Sequence, residues 1–358
     1  MLDVDSAVKM GFTGLKFGKA PYNSFSVIRS KFDKWLANKA AKAGAHLMLS
    51  TLVEDLVYEK TGMRSRKIDG VRLENGETIR ADVVILAEGV QAAILQKAGM
   101  RQEIKPDSLT HYVKEVIHLG SEKIEERFQL EPGEGTVIGM IGYPTSGVVG
   151  KAGLWTCKET ISLMVGGFLN QLIDKGHNPY QLLQRTKDHP LVKRLLEGGE
   201  TVEFLSHAIP KGGYKKIPRL IDNGLLVVGD AAMMISGRRG SDLAMLTAKF
   251  AAETILQALA KGDFNKAIMD SYVVKVKDSF FMKDIQSRKG SAKYYAQHGD
   301  ADFLVNRIMN EAAYKFFTID LKSSSEKQKQ IMEMTTNIQP IYKTFTDVIH
   351  GAQHWGVY

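Results

Sequence analysis

An aspartate directly follows a short apolar stretch in the second half of the chain. Leu225 to Val228 is apolar and β-prone, Gly229 and Asp230 follow at once, and two alanines come next. A carboxylate at the end of a strand can accept hydrogen bonds from the hydroxyls of a sugar alcohol. Glycine and alanine allow the backbone to approach a flat ligand closely. This order of residue types predicts a site for a ligand with a polyol chain and a planar ring.

A polar turn and a long helical pattern come next. The turn contains Arg238 and Arg239 between two glycines, Ser241 and Asp242 follow, and helical spacing continues to about Lys261. The amides of a first helical turn carry partial positive charge and bind electron-rich groups. Together with the acid and the small residues, they meet the needs of a flavin's ribityl chain and reduced ring. The two arginines could hold the pyrimidine edge of that ring or be solvated loop residues.

A second apolar run ends in a similar turn. Val83 to Leu86 is continuous apolar sequence, typical of a strand in a covered parallel sheet, and Ala87-Glu88-Gly89 follows it. Upstream, Arg29 stands at the start of a predicted helix, where a cation is slightly unfavourable against the helix dipole. This position favours an anion or polar ligand near Arg29, and a solvated side chain is the alternative.

The composition is that of a globular protein with two or more domains. The chain has 358 residues, of which 44% are hydrophobic and 25% charged, and its net charge is +8. A basic surface suits an anionic membrane, an acidic protein or nucleic acid, but no nucleic-acid motif accompanies it, so we expect no nucleic-acid partner. The single cysteine, Cys157, excludes an intrachain disulfide. It also predicts that this chain holds no iron-sulfur cluster, because such clusters need about four cysteine ligands. We assign no metal site.

The pattern along the chain predicts an α/β (α+β) fold in four segments. Residues 1–109 form the first part of a ligand-binding domain, and residues 110–203 form a mainly antiparallel domain. Residues 204–263 return to the first domain with the Gly229-Asp230 turn, and residues 264–358 are mostly helical.

Within the first segment, the pattern predicts one helix and several strands. The helix runs through Phe32 and Ala40 and ends at Gly44, and a hairpin turns at Glu74-Asn75-Gly76. The predicted strands are Ser24–Ile28, Ala45–Leu49, Val53–Glu59, Gly70–Leu73, Glu77–Arg80 and Asp82–Ala87.

These motifs together resemble the Fix-type electron-transfer-flavoprotein:quinone oxidoreductases. This family lies in the flavoprotein superfamily that also includes geranylgeranyl reductases and aromatic hydroxylases. The segments that carry the resemblance are Pro21–Phe25 leading to Arg29, Phe32, Asp33 and Trp35; Val113–Glu115; Glu125–Phe128; Ile209–Tyr214; Gly229–Ala232; Gly240–Met245; and Ala251–Glu253. The likeness covers nearly the whole chain to about Lys283.

The resemblance implies FAD as cofactor and a flow of electrons. An electron-transfer flavoprotein would reduce the FAD, a small ferredoxin-like protein would assist, and a membrane quinone would receive the electrons. No catalytic residue is assigned, because electron transfer requires placement and potential tuning rather than an acid-base pair. The implied FAD contacts are Arg29, Ala87, Gly89, Gly229, Asp230, Arg238, Gly240, Ser241 and Asp242.

The stretch from Gly139 to Trp155 is rich in glycine and apolar residues. Tyr143, Val149 and Trp155 could meet a quinone or lipid there, and a hairpin packed on the core is the alternative. The sequence has no run of ~20 apolar residues and no signal-peptide pattern. We therefore expect a cytoplasmic protein that attaches peripherally to the inner face of the membrane.

The family's opening strand and Gly-x-Gly-x-x-Gly turn find no counterpart in this sequence. The early glycines Gly11, Gly14 and Gly18 follow no apolar strand. The resemblance thus implies a truncated FAD-binding Rossmann-like domain with an inserted mainly antiparallel β domain and a helical C-terminal region. A misplaced start codon, a split gene or decay would each explain the truncation. It leaves two alternatives to the oxidoreductase, a non-catalytic scaffold for electron-transfer partners and a geranylgeranyl-reductase-like flavin reductase.

Overall fold

A computed structural model describes residues 1–18, 20–22, 24–60, 66–211, 213–236, 239–287 and 301–353. The strands are β1 Val53–Lys60, β2 Arg66–Leu73, β3 Thr78–Arg80, β4 Val84–Leu86, β5 Leu109–His118, β6 Val137–Met140, β7 Gly150–Thr156, β8 Thr160–Phe168, β9 Glu200–Pro210, β10 Ile221–Asp222 and β11 Leu225–Val227. The helices are α1 Arg29–Lys42, α2 Ala93–Lys97, α3 Ser121–Phe128, α4 Leu169–Asp174, α5 Pro179–Asp188, α6 Pro190–Leu196, α7 Ser241–Lys261, α8 Lys266–Asp278, α9 Phe280–Ser287, α10 Ala301–Phe317, α11 Ser324–Ile338 and α12 Ile341–Gln353.

The chain divides into two compact units. The first unit comprises Met1–Ala45, Thr110–His207 and Tyr295–Trp355. The second unit comprises His46–Leu109 and the described part of Ala208–Tyr294. The mixed α/β architecture predicted from the sequence is confirmed, since strands and helices occur in both units.

The first unit contains a five-stranded sheet in the order β6-β7-β8-β5-β9. β8 pairs antiparallel with β5 and with β7, in a register that places Val165 opposite Val113 and Leu163 opposite Leu154. These four side chains are at most 1% exposed, so the sheet carries its own core. The sheet is the antiparallel region that the sequence predicted.

The second unit contains two three-stranded sheets, β1-β2-β3 and β10-β11-β4. The hairpin predicted at Asn75-Gly76 is confirmed, because β2 and β3 pair antiparallel and Gly76 has a positive φ of 86°. β11 pairs parallel with β4 and antiparallel with β10. Leu225, Leu226 and Val227 of β11 are 0% exposed, so this strand forms the centre of the second core.

The predicted strands Ser24–Ile28 and Ala45–Leu49 are wrong, since both segments lack strand structure. Phe25 and Leu49 are 80% and 82% exposed, and β-prone side chains form a strand only when a neighbouring strand satisfies the backbone. The helix between them is confirmed as α1, and the chain turns at Gly44 with a φ of +99°.

Helix α7 lies against the second core. Among the helices that the structure describes, it is the one long and apolar enough to pass a test for crossing a membrane. Its buried residues recur every three or four positions, as in a helix packed on a sheet. They are Leu243, Thr247, Ala251, Thr254 and Ala258. This packing makes α7 weak evidence for a membrane span.

The C-terminal region is helical where the structure describes it, as the sequence predicted. α11 begins with a capping box, in which the Ser323 hydroxyl accepts from the Glu326 amide and the Glu326 carboxylate accepts from the Ser323 amide. In the first unit, the Leu2 carbonyl accepts from the Tyr143 amide at 2.9 Å and from Asn306 Nδ2 at 2.9 Å. These bonds attach the N-terminal segment to the Tyr143 turn and to α10.

Candidate functional site

The two predicted turns leave the second unit's sheet side by side. β4 and β11 are parallel, with Leu86 opposite Val227, and the last ladder bond runs from the Val228 amide to the Leu86 carbonyl at 3.0 Å. Ala87 and Gly89 therefore follow one strand at the same edge where Gly229 and Asp230 follow the other. Ligands of open α/β sheets bind outside the carboxyl ends of the strands. We take this edge as the candidate site.

The Gly229 turn requires glycine for two reasons. Its φ is +63°, a conformation that costs L side chains energy. An added Cβ would also lie 3.3 Å from Cβ of Ala244 in α7, closer than ordinary contact. The Gly229 amide donates to Oγ1 of buried Thr247 at 3.1 Å, and its carbonyl accepts from the Met234 amide at 3.1 Å. The turn is thus fixed against α7, and it presents Asp230 in a half-buried position.

Glu88 stabilises the other turn. Its carboxylate accepts hydrogen bonds from the amides of Ile94 at 2.8 Å and Leu95 at 3.1 Å, which caps the short helix α2. Gly89 has a φ of +69°, and an added Cβ would meet no atom within 4 Å. Conformation, rather than crowding, therefore explains the glycine. The main chain of Ala87 and Gly89 remains at the strand end where a ligand could approach.

A buried arginine that the motif analysis missed joins the two turns. Arg101 is only 7% exposed, and its guanidinium donates to the carbonyls of Val90 at 2.6 Å and Ala231 at 3.3 Å. Burial lowers the pKa of Arg101, and attraction to Glu88 and Asp230 opposes that shift. The guanidinium keeps its charge at neutral pH, because an arginine starts from a very high pKa. No local pattern in the sequence signals this arginine, because its partner Ala231 lies 130 residues away.

The N-terminus of α7 lies beyond the Gly229 turn. The amide of Ser236 donates to the carbonyl of Arg239, and the reverse bond closes the loop. Arg239 pairs with Asp242 at 2.5 Å and lies over the Phe280 ring at 4.5 Å. The helix begins at Ser241 after Gly240. Arg238 lies outside the described residues, so its predicted flavin contact stays a prediction.

Arg29 belongs to the first unit. It begins α1 and forms a two-bond ion pair with Asp33, at 2.6 Å and 2.9 Å, in which both side chains are about half exposed. This pair offsets part of the unfavourable interaction between the cation and the helix N-terminus. The predicted ligand contact of Arg29 stays a prediction.

The predicted quinone region lies in the first unit, and its side chains differ in how far they are exposed. Val149 is 1% exposed and its amide donates to Gln171 Oε1 at 2.8 Å, so its side chain lies in the core. Tyr143 is half-buried between His189 and Arg185, whose guanidinium lies 3.9 Å from the ring centre. Trp155 is half-buried on β7 opposite Val137, which is 58% exposed. Of the predicted residues, Tyr143 and Trp155 thus have exposed side-chain surface.

No cluster of three or more histidine, cysteine, aspartate or glutamate side chains lies close enough to hold a metal ion within the residues that the structure describes. Cys157 has a free thiol, and burial raises its pKa. A hydrogen bond with Thr160 and the nearby Lys114 cation act in the opposite direction.

Two solved structures share this fold. A geranylgeranyl bacteriochlorophyll reductase-like protein from Thermoplasma acidophilum matches 91% of this chain and 72% of its own, with a TM-score of 0.57 and 18% identity. The flavin-dependent brominase Bmp2 matches 87% of this chain and 76% of its own, with a TM-score of 0.55 and 19% identity. These likenesses confirm the predicted fold class, a Rossmann-type α/β fold with an additional antiparallel sheet.

Sequence comparison defines the family within that class. Residues 306–356 match the ETF-QO/FixC family C-terminal domain. Protein FixC of Azorhizobium caulinodans is 34% identical over 360 residues, covering 99% of this chain and 82% of the relative. Protein FixC of Escherichia coli K12 is 37% identical over 271 residues, covering 75% of this chain and 62% of the relative. The chain belongs to the FixC family.

Proposed function

We propose that this chain is a FAD-dependent oxidoreductase that passes electrons from an electron-transfer flavoprotein to a membrane quinone. The observation that carries the proposal is the pair of turns at the ends of β4 and β11, with Gly229 in a left-handed conformation and the acid Asp230 next to it. Membership of the FixC family supports an electron-transfer role, and the fold shared with flavin-dependent proteins supports the cofactor.

The residues at this edge of the second unit fit a flavin. Gly229 lets the main chain approach a flat ring, and the Asp230 carboxylate can accept hydrogen bonds from ribityl hydroxyls. Ser241 and Asp242 begin α7, and the partial positive charge of a helix N-terminus attracts an electron-rich edge. The main chain of Ala87 and Gly89 would lie along the adenosine side. The buried Nε of Arg101, which has no hydrogen-bond partner among the described residues, marks a polar position beside both turns.

FAD would supply the electron-accepting and electron-donating chemistry when bound. The protein's task is to orient the cofactor and exclude water, and positive charge near the ring would raise its reduction potential. We assign this charge to Arg238, with Arg239 paired to Asp242 as a second cation of the same loop. Reduction of a quinone to a quinol takes up protons as well as electrons, and we assign these protons to the solvent on the quinone side rather than to a side chain.

The test is an absorbance spectrum of the purified full chain, as isolated and after incubation with FAD followed by gel filtration. We expect flavin absorbance to co-elute with the folded protein. Reduction by a reduced electron-transfer flavoprotein and reoxidation by a soluble quinone analogue should then follow. If the folded chain retains no flavin, the result favours the non-catalytic scaffold. If the flavin-bound protein reduces isoprenoid double bonds but not quinones, the result favours the geranylgeranyl-reductase-like alternative.

A small ferredoxin-like protein completes the proposed electron path, and the chain works in the cytoplasm with peripheral attachment to the inner membrane face. What supports attachment is the net charge of +8 together with exposed Val137 and half-buried Trp155, which lie opposite each other on β6 and β7. We expect Val137→Ser with Trp155→Ser to reduce flotation on neutral and anionic liposomes. Salt should weaken only the anionic component.

The control for the flotation experiment is Val202→Ser. Val202 is 57% exposed, as Val137 is at 58%, but it lies on β9 at the opposite edge of the same sheet. Equal flotation of both variants and the parent would refute attachment through the β6-β7 surface. The same experiment with Val149→Ser would be uninformative, since that side chain is buried and its loss would disturb the fold.

A further inference from the structure

Arg101 bridges two segments that the sheet itself does not join. The parallel ladder between β4 and β11 ends at the bond from the Val228 amide to the Leu86 carbonyl. Beyond that bond, the segment after β4 leads toward α2, and the segment after β11 enters the Gly229 turn. The guanidinium of Arg101 donates to the Val90 carbonyl in the first segment and to the Ala231 carbonyl in the second. A single side chain therefore connects both halves of the candidate site.

Stability alone does not explain why a buried arginine, Arg101, joins the two segments. Arg101 is 7% exposed, and burying a charge costs free energy that two hydrogen bonds to main-chain carbonyls repay only in part. Within the part of the chain that the structure describes, its buried Nε has no hydrogen-bond partner. Apolar side chains in such places often leave stability unchanged or improve it. A buried cation at this point is therefore better explained by the groups that it faces.

The guanidinium donates to carbonyls that lie close to the acids of the two turns, because Val90 follows Glu88 by two residues and Ala231 directly follows Asp230. Both Glu88 and Asp230 attract the guanidinium. Glu88 already accepts two hydrogen bonds from the amides that begin α2. Asp230 is the acid that the proposed function assigns to the ribityl chain. Arg101 thus holds the main chain directly beside the carboxylate that would meet a ligand.

We propose that Arg101 is a positioning residue of the flavin site, which fixes the two turns relative to each other and holds the Asp230 carboxylate in the geometry that the ribityl chain requires. This inference rests on the flavin function proposed above. The guanidinium fork is needed for the bridge, because a lysine ammonium keeps the charge but lacks the planar pair of donors that reaches both carbonyls.

The experiment measures FAD affinity in the full chain for Arg101→Met, Arg101→Lys, Asp230→Ala and the double variant Arg101→Met with Asp230→Ala. We expect Arg101→Met to weaken FAD binding about tenfold or more and Arg101→Lys to lie between it and the parent. In the Asp230→Ala background, Arg101→Met should change affinity less than about threefold, because the carboxylate through which it acts is gone. The control is Arg72→Met, an exposed arginine of the same unit that pairs with Glu54.

Hydrogen exchange supplies a readout that needs no flavin. Amides of residues 88–97 and 229–236 should both exchange faster in Arg101→Met than in Arg72→Met. Unchanged exchange in either segment would overturn the bridge. Equal FAD affinity of Arg101→Met and the parent, or fully additive effects of Arg101→Met and Asp230→Ala, would overturn the positioning role while leaving the flavin function intact. A folded parent that binds no FAD would instead refute the flavin function, and the inference would fall with it.

Discussion

Replacing Asp230 by alanine should lower the affinity for FAD about tenfold or more while the chain remains folded. A carboxylate that accepts hydrogen bonds from a ligand's hydroxyls contributes about 1.5–3 kcal/mol, which corresponds to a loss of roughly ten- to hundredfold in affinity. Asp230 lies in the turn after β11 and outside the buried cluster around that strand. The measurement is a fluorescence titration of the purified variant with FAD.

Two further variants separate loss of the ligand contact from damage to the fold. Asp230→Asn keeps one acceptor oxygen and should bind FAD with intermediate affinity. Asp270→Ala removes an exposed carboxylate of α8 that pairs with Lys266 at 3.5 Å, and it should bind FAD as the parent does. The melting temperature of Asp230→Ala without FAD shows how much stability the protein loses when Arg101 has one nearby carboxylate fewer. Parent-like FAD affinity in a folded Asp230→Ala protein would refute the assignment of this acid.

The local parts of the candidate site could be predicted from the sequence because each depends on neighbouring residues. The apolar run Leu225 to Val228 followed by Gly229 contains a strand and a tight turn within five positions. Asn75-Gly76 likewise specifies its hairpin. In both cases residue type determines backbone conformation directly, so no knowledge of the tertiary structure is needed.

The parts that failed or were missed depend on distant partners. Ser24 to Ile28 has β-prone side chains but no ladder partner among the described residues, so the backbone takes no strand form there. Arg101 contacts the carbonyl of Ala231 across 130 residues, and no spacing rule connects the two. The sequence left open whether Val149 meets a quinone or packs in a core, because its burial depends on the packing of a whole sheet. Contacts of this kind require the fold itself.

Replacing Gly166, in the centre of the first unit's sheet, should strongly destabilise the fold. Gly166 lies in β8, between β5 and β7, opposite Tyr112 and Lys151. A Cβ at this position would overlap the His111 carbonyl oxygen and lie 2.7 Å from Cα of Tyr112. Both are backbone atoms of a paired strand, so they can move only if the ladder opens. Gly166→Ala should therefore lower the free energy of unfolding by about 3 kcal/mol or more.

Gly153→Ala is the matched control for this prediction. Gly153 lies on the adjacent strand β7 opposite Met164, and an added Cβ would find its nearest atoms at 3.6 Å and 3.7 Å, at ordinary contact distance. Alanine reduces the conformational entropy of the unfolded chain relative to glycine. The free energy of unfolding of this variant should therefore be unchanged or higher by about 0.5–1 kcal/mol. Urea denaturation followed by circular dichroism compares the two. If Gly166→Ala and Gly153→Ala unfold at the same urea concentration, the close approach of β8 and β5 does not limit the side chain at position 166, and the packing of the sheet is looser than these distances indicate.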